Sequence, residues 1–81
     1  MSEDNQNKLQ MLRNLVEELK KIEREQQTTI QHLARIQISL QDAGKENLSS
    51  KVGEIFGNAS KNTDLLHEII DDSQMTINQL K

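Results

Sequence analysis

Asp42-Ala43-Gly44-Lys45-Glu46-Asn47, at the midpoint of an 81-residue chain, decides how the remainder is read. Gly44 suits the left-handed C′ position that ends many helices. Asn47 offers a short polar side chain able to cap the N–H groups of a following helix. A turn at about 42–47 therefore predicts two helical arms, about 5–43 and 47–80, within one domain spanning 1–81.

Outward from the turn, each arm carries a helical stripe. On the N-terminal side Leu12, Leu15, Leu19, Ile22, Gln26, Thr29, Leu33, Ile36, Leu40 and Ala43 recur at alternating spacings of three and four. That is a heptad seam, flanked by Leu9, Val16 and Ile30. Asp4 or Asn5 is positioned to cap its start, and Glu17 with Lys21 forms a favourably oriented i,i+4 pair. On the C-terminal side the stripe runs through Leu48, Val52, Ile55, Phe56, Ala59, Asn62, Thr63, Leu66, Ile69, Ile70, Ser73, Ile77 and Leu80. It drifts across the face, as expected for a period nearer 3.6 than 3.5. Gly53 and Gly57 each weaken a helix interior by about 1 kcal/mol relative to Ala. A break at Gly57-Asn58, with Ser60 capping a later helix, is the alternative.

Folding one arm onto the other predicts an all-α fold, an antiparallel two-helix hairpin in which facing residue numbers sum to about 89 or 90. The expected seam comprises Leu12, Leu15, Leu19, Ile22, Leu33, Ile36 and Leu40 from the first arm. Leu48, Val52, Phe56, Leu66, Ile70 and Ile77 come from the second. Leu40 meets Leu48, Leu33 meets Phe56 (with the glycines beside it making room for the ring), and Leu19 meets Ile70. Gln26 and Thr29 fall level with Asn62 and Thr63, giving a polar layer that either fixes register and partner number or marks a hydrated midsection. Met11, Val16, Ile30, Leu65 and Ile69 are left without cover and form the candidate partner face. A three- or four-helix bundle, completed by a partner or by homodimerisation, would bury them.

Composition agrees with a need for partners. Apolar residues make up 33% of the chain and Phe56 is the sole aromatic, against roughly 45–50% apolar, counting glycine, in ordinary globular proteins. There is no cysteine to staple a thin core. The net charge is −3, and neither half offers the basic face that phosphate binding requires, so nucleic acid is not an expected partner. No apolar run approaches the roughly 20 residues that span a bilayer. The N-terminus is polar and acidic where a signal peptide would be basic and then apolar. A soluble cytoplasmic chain is expected; export, if any, would proceed without a cleaved leader.

Side chains suited to chemistry do not converge. His32 and His67 are the only imidazoles, and the hairpin register keeps them apart. Asp64, Glu68, Asp71 and Asp72 lie along a helix surface, whereas calcium wants six to eight oxygens from a wrapping loop. Glu-x-x-His is absent, and His67-Glu68 lacks the second His of a zincin. Gly53-x-x-x-Gly57 has the spacing of a close helix-packing face but none of the features of a phosphate loop. No enzyme activity, cofactor, metal or small-molecule substrate is expected.

An acidic chain of this length, with two long helical arms about a short central turn, resembles the Trp-x-Gly hairpin superfamily of type VII secretion. It looks most like the small helical accessory proteins that accompany larger secreted toxins. The turn here reads Asp42-Ala43-Gly44, without Trp. Near the end of the second arm the family carries an aromatic or apolar residue ahead of an acid. The nearest counterpart is His67-Glu68-Ile69-Ile70-Asp71, making His67 and Asp71 a possible export-signal remnant by resemblance. The resemblance implies a hairpin that pairs with another helical protein as an adaptor or targeting chaperone. The alternative is a homodimeric coiled-coil subunit of a scaffold.

Overall fold

The computed structural model describes residues 3–80 and consists of two helices, α1 (Glu3–Asp42) and α2 (Glu46–Leu80), with no strand among the described residues. They form an antiparallel hairpin measuring 62 × 14 × 13 Å. Forty residues at about 1.5 Å each span about 60 Å, so α1 runs nearly the full length.

The turn is a Schellman motif. The Lys45 N–H reaches the Leu40 carbonyl at 2.8 Å and the Gly44 N–H reaches the Gln41 carbonyl at 3.0 Å. These bonds satisfy carbonyls that a helix end leaves without partners. Gly44 adopts φ +75°, a conformation a Cβ would strain. The Ser49 N–H donates to the Lys45 carbonyl at 2.9 Å, so Lys45 occupies the cap position and Glu46 is already helical. The expected Asn47 cap thus falls two residues late. At the other end α1 begins at Glu3, placing Asp4 and Asn5 inside the first turn.

α2 is continuous through Gly53 and Gly57. A Cβ at Gly57 would meet nothing within 4 Å, whereas one at Gly53 would lie 3.0 Å from the Gln37 Nε2. Only Gly53 therefore makes a close approach, and it faces Gln37; the glycine pair is neither a packing motif nor room for the Phe56 ring.

The inward-facing residues follow an unbroken heptad on both helices. In α1 they are Asn5, Leu9, Leu12, Val16, Leu19, Glu23, Gln26, Ile30, Leu33, Gln37 and Leu40. In α2 they are Ser49, Val52, Phe56, Ala59, Thr63, Leu66, Ile70, Ser73, Ile77 and Leu80. Spacings alternate strictly between three and four, so the α2 seam does not drift; its period is 3.5, that of a left-handed coiled coil. Two contacts fix the register: Glu23 Oε2 lies 3.1 Å from His67 Nδ1, and Gln37 packs against Gly53. Both pairs of numbers sum to 90, within the expected register.

What differs is the rotation of α1 about its own axis; in α2 Val52, Phe56, Leu66, Ile70 and Ile77 face inward as expected and Leu48 does not. The expected α1 seam and the observed one share Leu12, Leu19, Gln26, Leu33 and Leu40. The second column is Leu9, Val16, Glu23, Ile30 and Gln37, in place of Leu15, Ile22, Thr29 and Ile36. Val16, expected on the partner face, is 2% exposed, and Ile30 is half-buried. Leu15, Ile22, Ile36 and Leu48, expected in the seam, are exposed. The tight spots explain this. Ser49 is buried and Gly53 abuts Gln37, so small residues let the backbones approach on the e edge. Ser49 also donates its hydroxyl to the Gln37 carbonyl at 3.3 Å.

The core proper sits toward the open end, away from the turn. Leu9, Val16, Ile70 and Ile77 form it, with Leu12, Leu19 and Leu80 packed around them.

Candidate functional site

With the two seam columns labelled a and d in the usual heptad notation, a third apolar column appears on each helix at position g. In α1 the g positions are Lys8, Leu15, Ile22, Thr29 and Ile36, with Ala43 following in the turn; in α2 they are Leu48, Ile55, Asn62, Ile69 and Thr76. The six large apolar members are between 41% and 52% exposed.

Both columns lie on one side of the hairpin. In an antiparallel pair, the e positions of the two helices flank one edge of the seam and the g positions flank the other. Surface grooves on the e edge draw residues from both helices: Arg13 with Gln74, and Gln41 with Glu46. That edge is polar or small, comprising Arg13, Lys20, Gln27, Ala34 and Gln41 against Gly53, Ser60, His67 and Gln74. The opposite edge therefore gathers the g residues of both helices into one apolar face. Met11 and Leu65, at position c beside it, are 63% and 55% exposed and extend it. A shallow groove lined by His32, Arg35, Ile36, Ser39 and Leu40 runs along its turn end. Ile38 and Met75 are exposed away from this face.

Where the arc is apolar, on either side of the polar mid-length, it takes in a, d and g, about three positions of the heptad. A two-stranded coiled coil needs only a and d; the wider arc belongs to a helix that also faces neighbours in a bundle. The hairpin covers two of the three columns and leaves the third in water.

The polar residues at mid-length divide between the two surfaces. Gln26 and Thr63 are half-buried in the seam, while Thr29 and Asn62 are exposed on the face. Each threonine hydroxyl donates within its own helix: Thr29 to the Glu25 carbonyl at 3.0 Å and Thr63 to the Ala59 carbonyl at 3.1 Å. Neither threonine hydroxyl bonds across the layer.

Of the expected partner-face residues, Met11, Leu65 and Ile69 lie on this face, whereas Val16 and Ile30 lie in the seam. The face's principal members, Leu15, Ile22, Ile36, Leu48 and Ile55, were expected in the stripes. The signal that separates them is their own seven-residue spacing, set against polar side chains at the e positions.

His67 and Asp71 are both exposed. His67 covers Glu23, the one acidic residue in the seam, whose side chain is only 19% exposed. His32 lies on the surface at position c, distant from His67. Among the described residues no group of three His, Cys, Asp or Glu side chains is placed to hold a metal ion. No described helix is long and apolar enough to cross a membrane. Compared with protein-family models, curated proteins and solved structures, the chain matches none.

Proposed function

We propose that this chain is a non-enzymatic protein–protein interaction module, a half-bundle whose g face docks onto the helices of a partner. The observation that carries this reading is the one-sided third column: six large aliphatic side chains aligned on one edge of the hairpin and polar or small residues on the other. These side chains are about half exposed, so covering each contributes on the order of 1 kcal/mol, which in aggregate works against the ordering cost of association. The partner is helical, because two parallel ridges of aliphatic residues along the hairpin fit the grooves of other helices best. The type VII resemblance implies a special case, an adaptor or chaperone in the cytoplasm whose second hairpin belongs to a larger exported effector.

The test compares a face variant, Ile22→Lys with Ile69→Lys, with an edge control, Gln27→Lys with Ser60→Lys. The face variant should remain helical by circular dichroism and lose every protein, including copies of itself, that associates with the wild type. Equal retention by both variants, or loss only in the edge control, would refute the assignment.

A further inference from the structure

We infer that the occupant of the g face is a second copy of this chain, laid antiparallel so that Thr29 and Asn62 of each copy meet their own counterparts on a two-fold axis. This rests on the face being an association surface and names its partner.

The first observation is the symmetry of the face about its centre. Thr29 is the polar g residue between Ile22 and Ile36 of α1, and Asn62 is the polar g residue between Ile55 and Ile69 of α2. The Glu23–His67 and Gln37–Gly53 contacts put Thr29 and Asn62 at about the same height along the hairpin. A two-fold axis through that height carries Ile22 onto Ile36 of the other copy and Ile55 onto Ile69. Isoleucine meets isoleucine at these four positions and the polar layer meets itself, while at the ends Leu15 falls on Ala43 and Leu48 on Thr76. An unrelated helical partner would have to reproduce this interruption; a second copy supplies it automatically. A closed isologous interface is also the commonest symmetry among soluble oligomers.

The second observation is charge, which selects the antiparallel over the parallel arrangement. Both bury the same g columns. The c residues beside them differ along the length, with Glu18, Glu25 and Asp72 toward the open end and His32 and Lys51 toward the turn. In the antiparallel dimer Asp72 comes level with Lys51 of the other copy, and Glu25 with His32. In the parallel dimer, turn beside turn, Asp72 would lie level with Glu18. The opposite charges of Asp72 and Lys51 favour the first register, and the like charges of Asp72 and Glu18 oppose the second.

The third observation is size. From Leu15 to Ala43 the face extends about 42 Å at 1.5 Å per residue, and the hairpin is 14 Å wide. The projected area is roughly 600 Å², and ridged side chains expose more than their projection, which approaches the roughly 800 Å² per partner of a standard interface.

Single-cysteine variants of the full chain test this without disturbing the core, since the sequence has no native cysteine and the face is exposed. Thr29→Cys should cross-link to itself in high yield with a short thiol reagent. Ile22→Cys should not, but should cross-link when mixed with Ile36→Cys. Ile22→Lys should weaken dimerisation roughly a hundredfold, because two isoleucines leave the interface per dimer. Cross-linking of Thr29→Cys only with Asn62→Cys would overturn the antiparallel register. A wild-type chain that stays monomeric, with no cross-link in any pair, would overturn the second copy as occupant. In that event loss of a different bound protein from the Ile22→Lys, Ile69→Lys variant would leave the face assignment standing, and no change there would remove it as well.

Discussion

Gly44, Gly53 and Gly57 share a residue type and nothing else. Gly44 holds φ +75° at the Schellman turn, so Gly44→Ala should cost about 1–2 kcal/mol through strain in the left-handed region. Gly57 faces open space within a helix. Gly57→Ala should stabilise the chain by up to about 1 kcal/mol, read as a raised midpoint in urea. Gly53→Ala should gain less, because the new methyl must displace the Gln37 amide. Glu23 is the other residue with a sharp expectation. It occupies a seam position among half-buried neighbours, with the His67 ring against its carboxylate. Glu23→Leu would exchange a carboxylate for an aliphatic group in the heptad and should raise stability by about 1 kcal/mol. A fall in stability would mean that the Glu23–His67 pair contributes more than a partly exposed ion pair ordinarily does.

At the scale of the helices, the two arms are held differently along their length. The open end has an aliphatic core, whereas the turn end relies on the Schellman bonds, the Ser49 hydroxyl and half-buried Leu33, Leu40, Val52 and Phe56. Ile77→Ala, in the core, should cost about 2–5 kcal/mol, more than Gly44→Ala at the turn. Element type, turn position and pairing register were legible in the sequence, because Gly44 breaks the chain once and the stripes on either side share a spacing. The rotation of α1 was not. Leu12, Leu19, Leu33 and Leu40 sit at the middle of a three-column arc and belong to either possible seam. The choice between Leu9–Val16–Ile30 and Leu15–Ile22–Ile36 depends on which edge lets the backbones close. Ser49 and Gly53, both against Gln37, favour the first, through smallness that carries little weight in an apolar count. The same ambiguity hid the candidate face, whose residues look like seam until the seam is fixed.

For the whole molecule, the low apolar content becomes intelligible once the chain is taken as half of a bundle. None of the described side chains is fully buried within the hairpin, and a second layer of helices would cover the g column of both arms. Folding and association are then linked, and apparent stability must depend on concentration. The wild-type melting temperature should rise as the chain is concentrated. The melting temperature of the Ile22→Lys, Ile69→Lys variant should be lower and independent of concentration.

Sedimentation equilibrium on the wild type and on that variant tests the central claim most directly. A g-face dimer predicts a wild-type species of twice the 9.3 kDa chain mass and a variant at the mass of one chain with its helix content retained. A wild type that remains at the mass of one chain at the highest soluble concentration, melting no differently from the variant, would contradict it.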